Sequence, residues 1–156
     1  MAEDQQQQSF LIEKIYVKDL SVEVPGAPLV FKKRDVNPNA QMAFTHQSSK
    51  IQDDVYEVVL KVTIDAKADD ETLFLVEVVQ AGIFRIENIS SDQIDFILGG
   101  TCPNILFPYV REMVSTVVVK AGFPQMVLQP INFEATFRMN EENQRGQQKP
   151  DNVVAH

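Results

Sequence analysis

The 156-residue chain has no tryptophan, one cysteine and two histidines. The lone cysteine, Cys102, excludes a disulfide framework within the chain and points to a reducing compartment. The histidines, His46 and the terminal His156, share no recognisable catalytic pattern with Cys102, which argues against a Cys–His nucleophile. Glycine and proline are scarce, at six and eight residues, so collagen-like and wholly disordered chains are excluded. Long apolar runs are missing as well. The richest stretch, 104–119, is cut by Pro108, Arg111, Glu112, Ser115 and Thr116, so no helix is expected to cross a membrane. Positive charge is in deficit, with 14 Lys and Arg against 22 Asp and Glu and a formal net charge of −8. That balance disfavours nucleic acid and anionic membrane surfaces and favours basic partners. The opening MAEDQQQQSF lacks the basic and apolar regions of a secretory signal, so a cytoplasmic location is expected.

What is present is an ordinary globular composition, 44% apolar and 23% charged, long enough for one core. Residues 1–9 and 141–156 are polar and aperiodic, and Gly146 and Pro150 break the latter. One domain over 10–140 between two flexible tails is the expected organisation.

Within that domain, Phe10 to Val24 reads as a strand with Phe10, Ile12, Tyr16, Leu20, Val22 and Val24 on one face. Its other face carries Leu11, Ile15 and Val17, then Asp19, Ser21 and Glu23. Pro25, Gly26 and Pro28 end the ladder and begin a crossover loop through KKRDVNPN. A short strand near Ala40 to Thr45 follows, with Ala40, Met42 and Phe44 on one face. DVYEVVLKVTIDAK alternates most cleanly, setting Tyr56, Val58, Leu60, Val62 and Ile64 against Glu57, Lys61, Thr63 and Asp65. After a five-residue connection, 67–71, a long strand spans Thr72 to Ile86. It places Phe74, Val76, Val78 and Phe84 opposite Leu75, Glu77, Val79 and Ile83. Four strands without long intervening helices predict an antiparallel sheet.

Three helices are predicted next. Ser91 caps a short one that ends at Gly99 and Gly100. A longer one over PNILFPYVREMVSTVVVKAG carries a wide apolar arc and stops at Gly122. A third starts at Asn132 and carries Phe133 and Phe137. The plan is therefore α+β, a four-stranded antiparallel sheet followed by helices. The wide arc fits either an oligomer interface or a helix sandwiched within one monomer.

Few residues carry reactive chemistry. Cys102 precedes Pro103 at a predicted helix start, but a buried structural thiol is the favoured reading. Gly99 and Gly100 lack a following GK[ST], so no phosphate-cradling loop is present. Asp53 with Asp54, and Asp69 to Glu71, lack the spacing of a calcium loop and read as turn charge. The more informative sets come from strand parity. Asp19 with Glu23, and Leu75 with Glu77, each share a face; were those faces one, the sheet would show an acidic surface suited to a basic partner, against the simpler reading of a solvated face.

The string CPNILFPYVRE, Cys102 to Glu112, resembles the hallmark of the SecB export-chaperone family. So do IYVKDLSVEVPGAP, DDVYEVVLKVT, ETLFLVEVVQAGIFRI and FPQMVLQPINFEATF, in order over residues 10–140. The resemblance implies a homotetramer, a dimer of dimers, with helices on one side of each sheet and the long helix between dimers. It implies no enzyme and no cofactor. Its activity would be to hold unfolded secretory precursor proteins and pass them to the SecA motor ATPase. The implied SecA-docking residues are Asp19, Glu23, Leu75 and Glu77. The implied client groove comprises Phe31, Val36, Met42, Phe44, Tyr109 and Phe137. Two departures stand out: Val36 replaces a common crossover tryptophan, and Ala81 precedes Gly82 where a glycine pair is usual. Two alternatives are a SecB-like chaperone of an antitoxin and a small α+β enzyme using Cys102.

Overall fold

The strictest alternation in the sequence forms the middle of the sheet. In the computed structural model, which describes residues 6–33 and 38–147, four strands pair in one antiparallel sheet. They are β1 (Ser9–Glu23), β2 (Asn39–Gln52), β3 (Val55–Ala68) and β4 (Glu71–Glu87), in the spatial order β1–β4–β3–β2. Hairpins join β2 to β3 and β3 to β4. The crossover from β1 to β2 contains a 3₁₀ turn, Leu29–Lys32, that buries Val30. The helices lie on one side of the sheet: α1 (Ser91–Phe96), a π turn (Ile97–Thr101), α2 (Cys102–Lys120) and α3 (Phe133–Gln147).

The fully buried Leu60, Val62, Ile64, Val76, Val78 and Phe84 of β3 and β4 form one wall of the core. Leu106, Val110, Val114 and Val118 of α2 form the other, at the spacing of one helix face. Each such side chain contributes about 1.5–3 kcal/mol when fully buried, so this layer fixes the helix on the sheet.

Several expectations change in the structure. First, the strand near Ala40–Thr45 continues to Gln52, because an antiparallel edge strand can follow its partner wherever backbone pairing is available. Second, the connection before β4 is only Asp69–Asp70, at φ 50° and 62°; Lys67, Ala68 and Glu71 stay in the ladder. Positive φ at both central residues is the two-residue hairpin geometry that Asp tolerates better than most residues. Third, Gly99 and Gly100 do not stop a helix. They lie in the π turn, and a Cβ on Gly99 would fall 2.6 Å from the Phe137 ring of α3. The glycine there permits close packing of two elements. Fourth, the α1 cap is Ser90, and its side chain makes no capping hydrogen bond.

At the third helix, Asn132 Oδ1 accepts the Ala135 N–H at 3.0 Å, so that cap is as expected. The helix runs to Gln147, into the stretch read from sequence as tail. Ala81 and Gly82 also acquire a reason. Ala81 pairs with Tyr16 on the open face, where its methyl is accommodated, whereas a Cβ on Gly82 would lie 2.7 Å from Phe84 and 3.2 Å from Leu106.

β1 departs most from simple alternation. It carries β-bulges between Ile12 and Lys14 and between Val17 and Asp19. Each bulge adds a residue and exchanges the faces. Phe10 and Ile12 therefore point to the helix side, followed by Ile15 and Val17, then Leu20 and Val22. Tyr16 turns to the open side, contrary to strict parity. Because there are two exchanges, Asp19, Ser21 and Glu23 return to the face that uninterrupted alternation assigns them.

Candidate functional site

On the helix side, β2 is a free edge and the elements beside it do not close over it. The segment 121–132 crosses here, tethered to α2 by Arg111 Nε donating to Leu128 O at 3.1 Å and Ser115 Oγ donating to Met126 O at 2.8 Å. It is rich in apolar residues, and its two prolines, Pro124 and Pro130, keep it out of regular structure. Between it and β2 lies a concavity of about 350 Å³ lined by Ala40, Met42, Ile64, Met126, Val127 and Ile131. A second, of about 280 Å³, is lined by Val30, Phe31, Leu73, Phe123 and Pro124. A third, of about 420 Å³, lies among β2, the π turn and α3, with His46, Leu98 and Phe137 in its wall. Burial holds His46 below the usual histidine pKa, so its ring is neutral at pH 7.

Five of the six residues assigned to the groove lie within the described structure. Phe31 and Met42 are 49% and 38% exposed, one in each apolar concavity. Phe44 follows Met42 along β2 toward His46, its ring 5.2 Å from that of Phe133, and Phe137 borders the third concavity. Val36 lies outside the described residues. Tyr109 is 48% exposed on α2, but roughly 200° around the helix from Arg111, away from the 121–132 segment. It is not brought together with the others in this chain. Sequence reasoning missed Met126, Val127 and Ile131. The available signal was an apolar stretch, FPQMVLQPI, with no period that would bury it.

On the open side, the register brings the acidic set together. Asp19 pairs with Val79, Ser21 with Glu77, and Glu23 with Leu75. On the other flank of β4, Glu77 pairs with Thr63 and Leu75 with Asp65 of β3. Asp19, Glu23, Leu75 and Glu77 thus form one patch across two adjacent strands. Asp65, not singled out from sequence, extends it onto a third. Leu75 is half-buried among these carboxylates.

The other end of the open face is closed by its own charges. Tyr16 OH donates to Glu57 Oε2, and Lys18 Nζ donates to Glu57 Oε1 at 2.9 Å. Burial together with Glu57 pushes the Tyr16 phenol up to about 12; the Tyr16 hydrogen bond, then Lys18, hold Glu57 below its usual value. Gln80, the one buried polar side chain among the described residues, donates Nε2 to Tyr16 O at 3.0 Å, satisfying a carbonyl beside the second bulge. Arg85 bridges Glu13 at 2.7 Å and Glu87 at 3.3 Å.

Cys102 is fully buried, and burial pushes its thiol up to about 12. At neutral pH it stays protonated, which makes it a poor nucleophile. Among the described residues no group of three His, Cys, Asp or Glu side chains could hold a metal, and no helix is long and apolar enough to cross a membrane.

Open apolar concavities beside a rigid core, with a separate acidic face, define a chain-binding protein of the chaperone class. The sequence profile of SecB, preprotein translocase subunit SecB, matches residues 3–144. The protein-export protein SecB of Thiobacillus denitrificans is 51% identical over 144 residues, covering 92% of this chain and 94% of that one. That of Chromobacterium violaceum is 52% identical over 145 residues, covering 92% and 96%. The chain belongs to the SecB family, and its role is that of a protein-export chaperone. A SecB-like chaperone of Mycobacterium tuberculosis, solved in complex with a ChAD peptide from the HigA1 antitoxin, has the same fold with a TM-score of 0.66. It is 16% identical and the match covers 78% of this chain and 90% of that one.

Proposed function

We propose that this chaperone holds unfolded secretory precursors along the helix-side concavities and hands them to SecA through the open acidic face. The observation that carries this reading is the segregation of the two residue sets. Phe31, Met42, Phe44 and Phe137 line or flank the helix side, whereas Asp19, Glu23, Leu75 and Glu77 share the opposite face. An extended client can place apolar side chains into open concavities that a folded protein, with its own apolar residues buried, cannot use. A basic partner can dock on the other face without competing for them.

The acting unit is a homotetramer, a dimer of dimers, and Tyr109 contributes to binding through that assembly. Uncovered apolar residues support self-association: Ile12, Val17, Leu20 and Val22 of β1 face the helix side yet remain exposed, as do Tyr109 and Val119 of α2. Residues 10–140 form the working domain, and Val36 belongs to the client surface. The cycle involves no catalysis and no cofactor, and it takes place in the cytoplasm, where a free thiol such as Cys102 remains reduced. Relatives at about half identity bear the export name, which favours precursors over an antitoxin as clients.

The test is titration of the purified protein, without nucleotide, against one precursor held unfolded and the same precursor folded, recording affinity and complex mass. Selective binding of the unfolded form by a tetramer is expected. Equal affinity for both forms, or a monomeric complex, overturns the reading.

A further inference from the structure

The carboxylates of the open acidic patch are not equivalent. Asp19 and Glu23 on β1 have no cationic side chain within 4.0 Å among the described residues. On β4 and β3 the carboxylates are already engaged: Lys61 Nζ lies 3.6 Å from Glu77 Oε1, and Lys67 Nζ lies 3.8 Å from Asp65 Oδ2. Both lysines come from β3. Their side chains are about half exposed, so water and an incoming protein can both reach them.

We propose that Lys61 and Lys67 are built-in competitors for the docking surface: each occupies a carboxylate that a basic partner must take over. The inference rests on the docking reading above and adds Asp65 to that surface. Asp65 pairs with Leu75 in the ladder; its Oδ1 is buried without a hydrogen-bond donor, and its Oδ2, beside Lys67, is the oxygen that an incoming cation can reach. A guanidinium or ammonium group arriving at Leu75 therefore meets two kinds of site. Asp19 and Glu23 offer unpaired negative charge that steers the approach. Glu77 and Asp65 become available only as the lysines swing away. Because long-stem ion pairs at this exposure are weak, the competition tunes affinity without blocking it. It also makes docking reversible: after release, each lysine can return to its carboxylate.

The competition predicts a gain of affinity, which damage to the fold does not produce. The full-length protein carrying Lys61→Gln is titrated against purified SecA beside the parent, Lys61→Arg, Glu77→Gln and the double variant Lys61→Gln/Glu77→Gln. Lys50→Gln removes the same charge at the distant β2–β3 turn, where Lys50 pairs with Asp53 at 3.8 Å. That site lies well beyond a Debye length of about 10 Å, so it controls for net charge. Lys61→Gln is expected to tighten binding about three- to five-fold, with Lys61→Arg and Lys50→Gln near the parent. In the Glu77→Gln background the Lys61 change should have no further effect. Unchanged or weakened binding by Lys61→Gln, an equal gain from Lys50→Gln, or an undiminished gain without Glu77 each overturns the proposal. If Glu77→Gln and Asp19→Asn both leave SecA affinity unaltered, the docking reading itself fails.

Discussion

The two faces of the sheet are built from alternate residues of the same four strands and solve opposite problems. On the helix side β3 and β4 are dry, and α2 covers them with apolar side chains, leaving Gln80 as the one buried polar side chain among the described residues. Toward the edges that cover runs out, and Met42 and Phe31 are left half-exposed. The open side never acquires a cover. It stays in water by means of charge, paired at one end around Tyr16, Glu57 and Arg85, and partly unpaired at the other around Asp19 and Glu23. Period-two alternation therefore lets one sheet carry two surfaces that change independently, provided the register of β1 is held.

Core substitutions give the largest effect and ask how far the helix side acts as one body. Phe133 is buried against Phe44 and Phe107, so Phe133→Ala should cost about 3–5 kcal/mol, read as a lowered midpoint in denaturant. Client affinity should fall with it through Phe44, and a midpoint near that of the parent would show that the packing is dispensable. Next, reversing charge at Asp19 and Glu77 together should weaken SecA binding by at least about tenfold, since like charges then face a basic partner. Client titration of the same variant should match the parent; parallel loss of both would mean that the faces are not separate. A cation placed among the apolar residues of the helix side, Met42→Arg, should weaken client binding by about tenfold while the complex mass is kept, because burying unpaired charge is costly.

The smallest effect concerns pH and the clasp on the open face. Glu57 is held below its ordinary value of 4.5, so its stabilisation is complete above that value and is lost as pH falls through the lower folded one. Tyr16 is raised from 10.0 to about 12, so its share is complete below 10.0 and disappears as pH climbs through about 12. Glu57→Gln should therefore lower the melting temperature slightly at neutral pH, where both contributions are complete, flatten the acid limb of the profile and flatten the alkaline limb only in part, since burial of Tyr16 remains. An unaltered acid limb would place the acid sensitivity elsewhere.

β1 shows how sequence parity can reach a correct site for an incomplete reason. Uninterrupted alternation puts Asp19 and Glu23 on the open face, and they are there, but only because two bulges cancel. Between the bulges the same rule misplaces Ile15, Tyr16 and Val17. The bulges have no strong local signature; at the second, the carbonyl of Tyr16 is met from β4, by the Gln80 amide, 64 residues away in sequence. Gly99 and Gly100 illustrate the same limit, since glycine is also the stop signal of a helix and only the arrival of Phe137 distinguishes the two uses.

The sequence by itself determined the strand and helix types, the α+β plan, the pairs Asp19 with Glu23 and Leu75 with Glu77 that share a strand face, the buried character of Cys102 and, through its motifs, the family. These follow from local periodicity and composition, which act over a few residues. Only the tertiary structure decided which apolar residues stay open, that Met126, Val127 and Ile131 join Met42, and that Lys61 and Lys67 occupy Glu77 and Asp65. Those outcomes depend on contacts between residues distant in sequence. Such contacts are set by register, bulges and the path of the 121–132 segment, none of which a local pattern encodes.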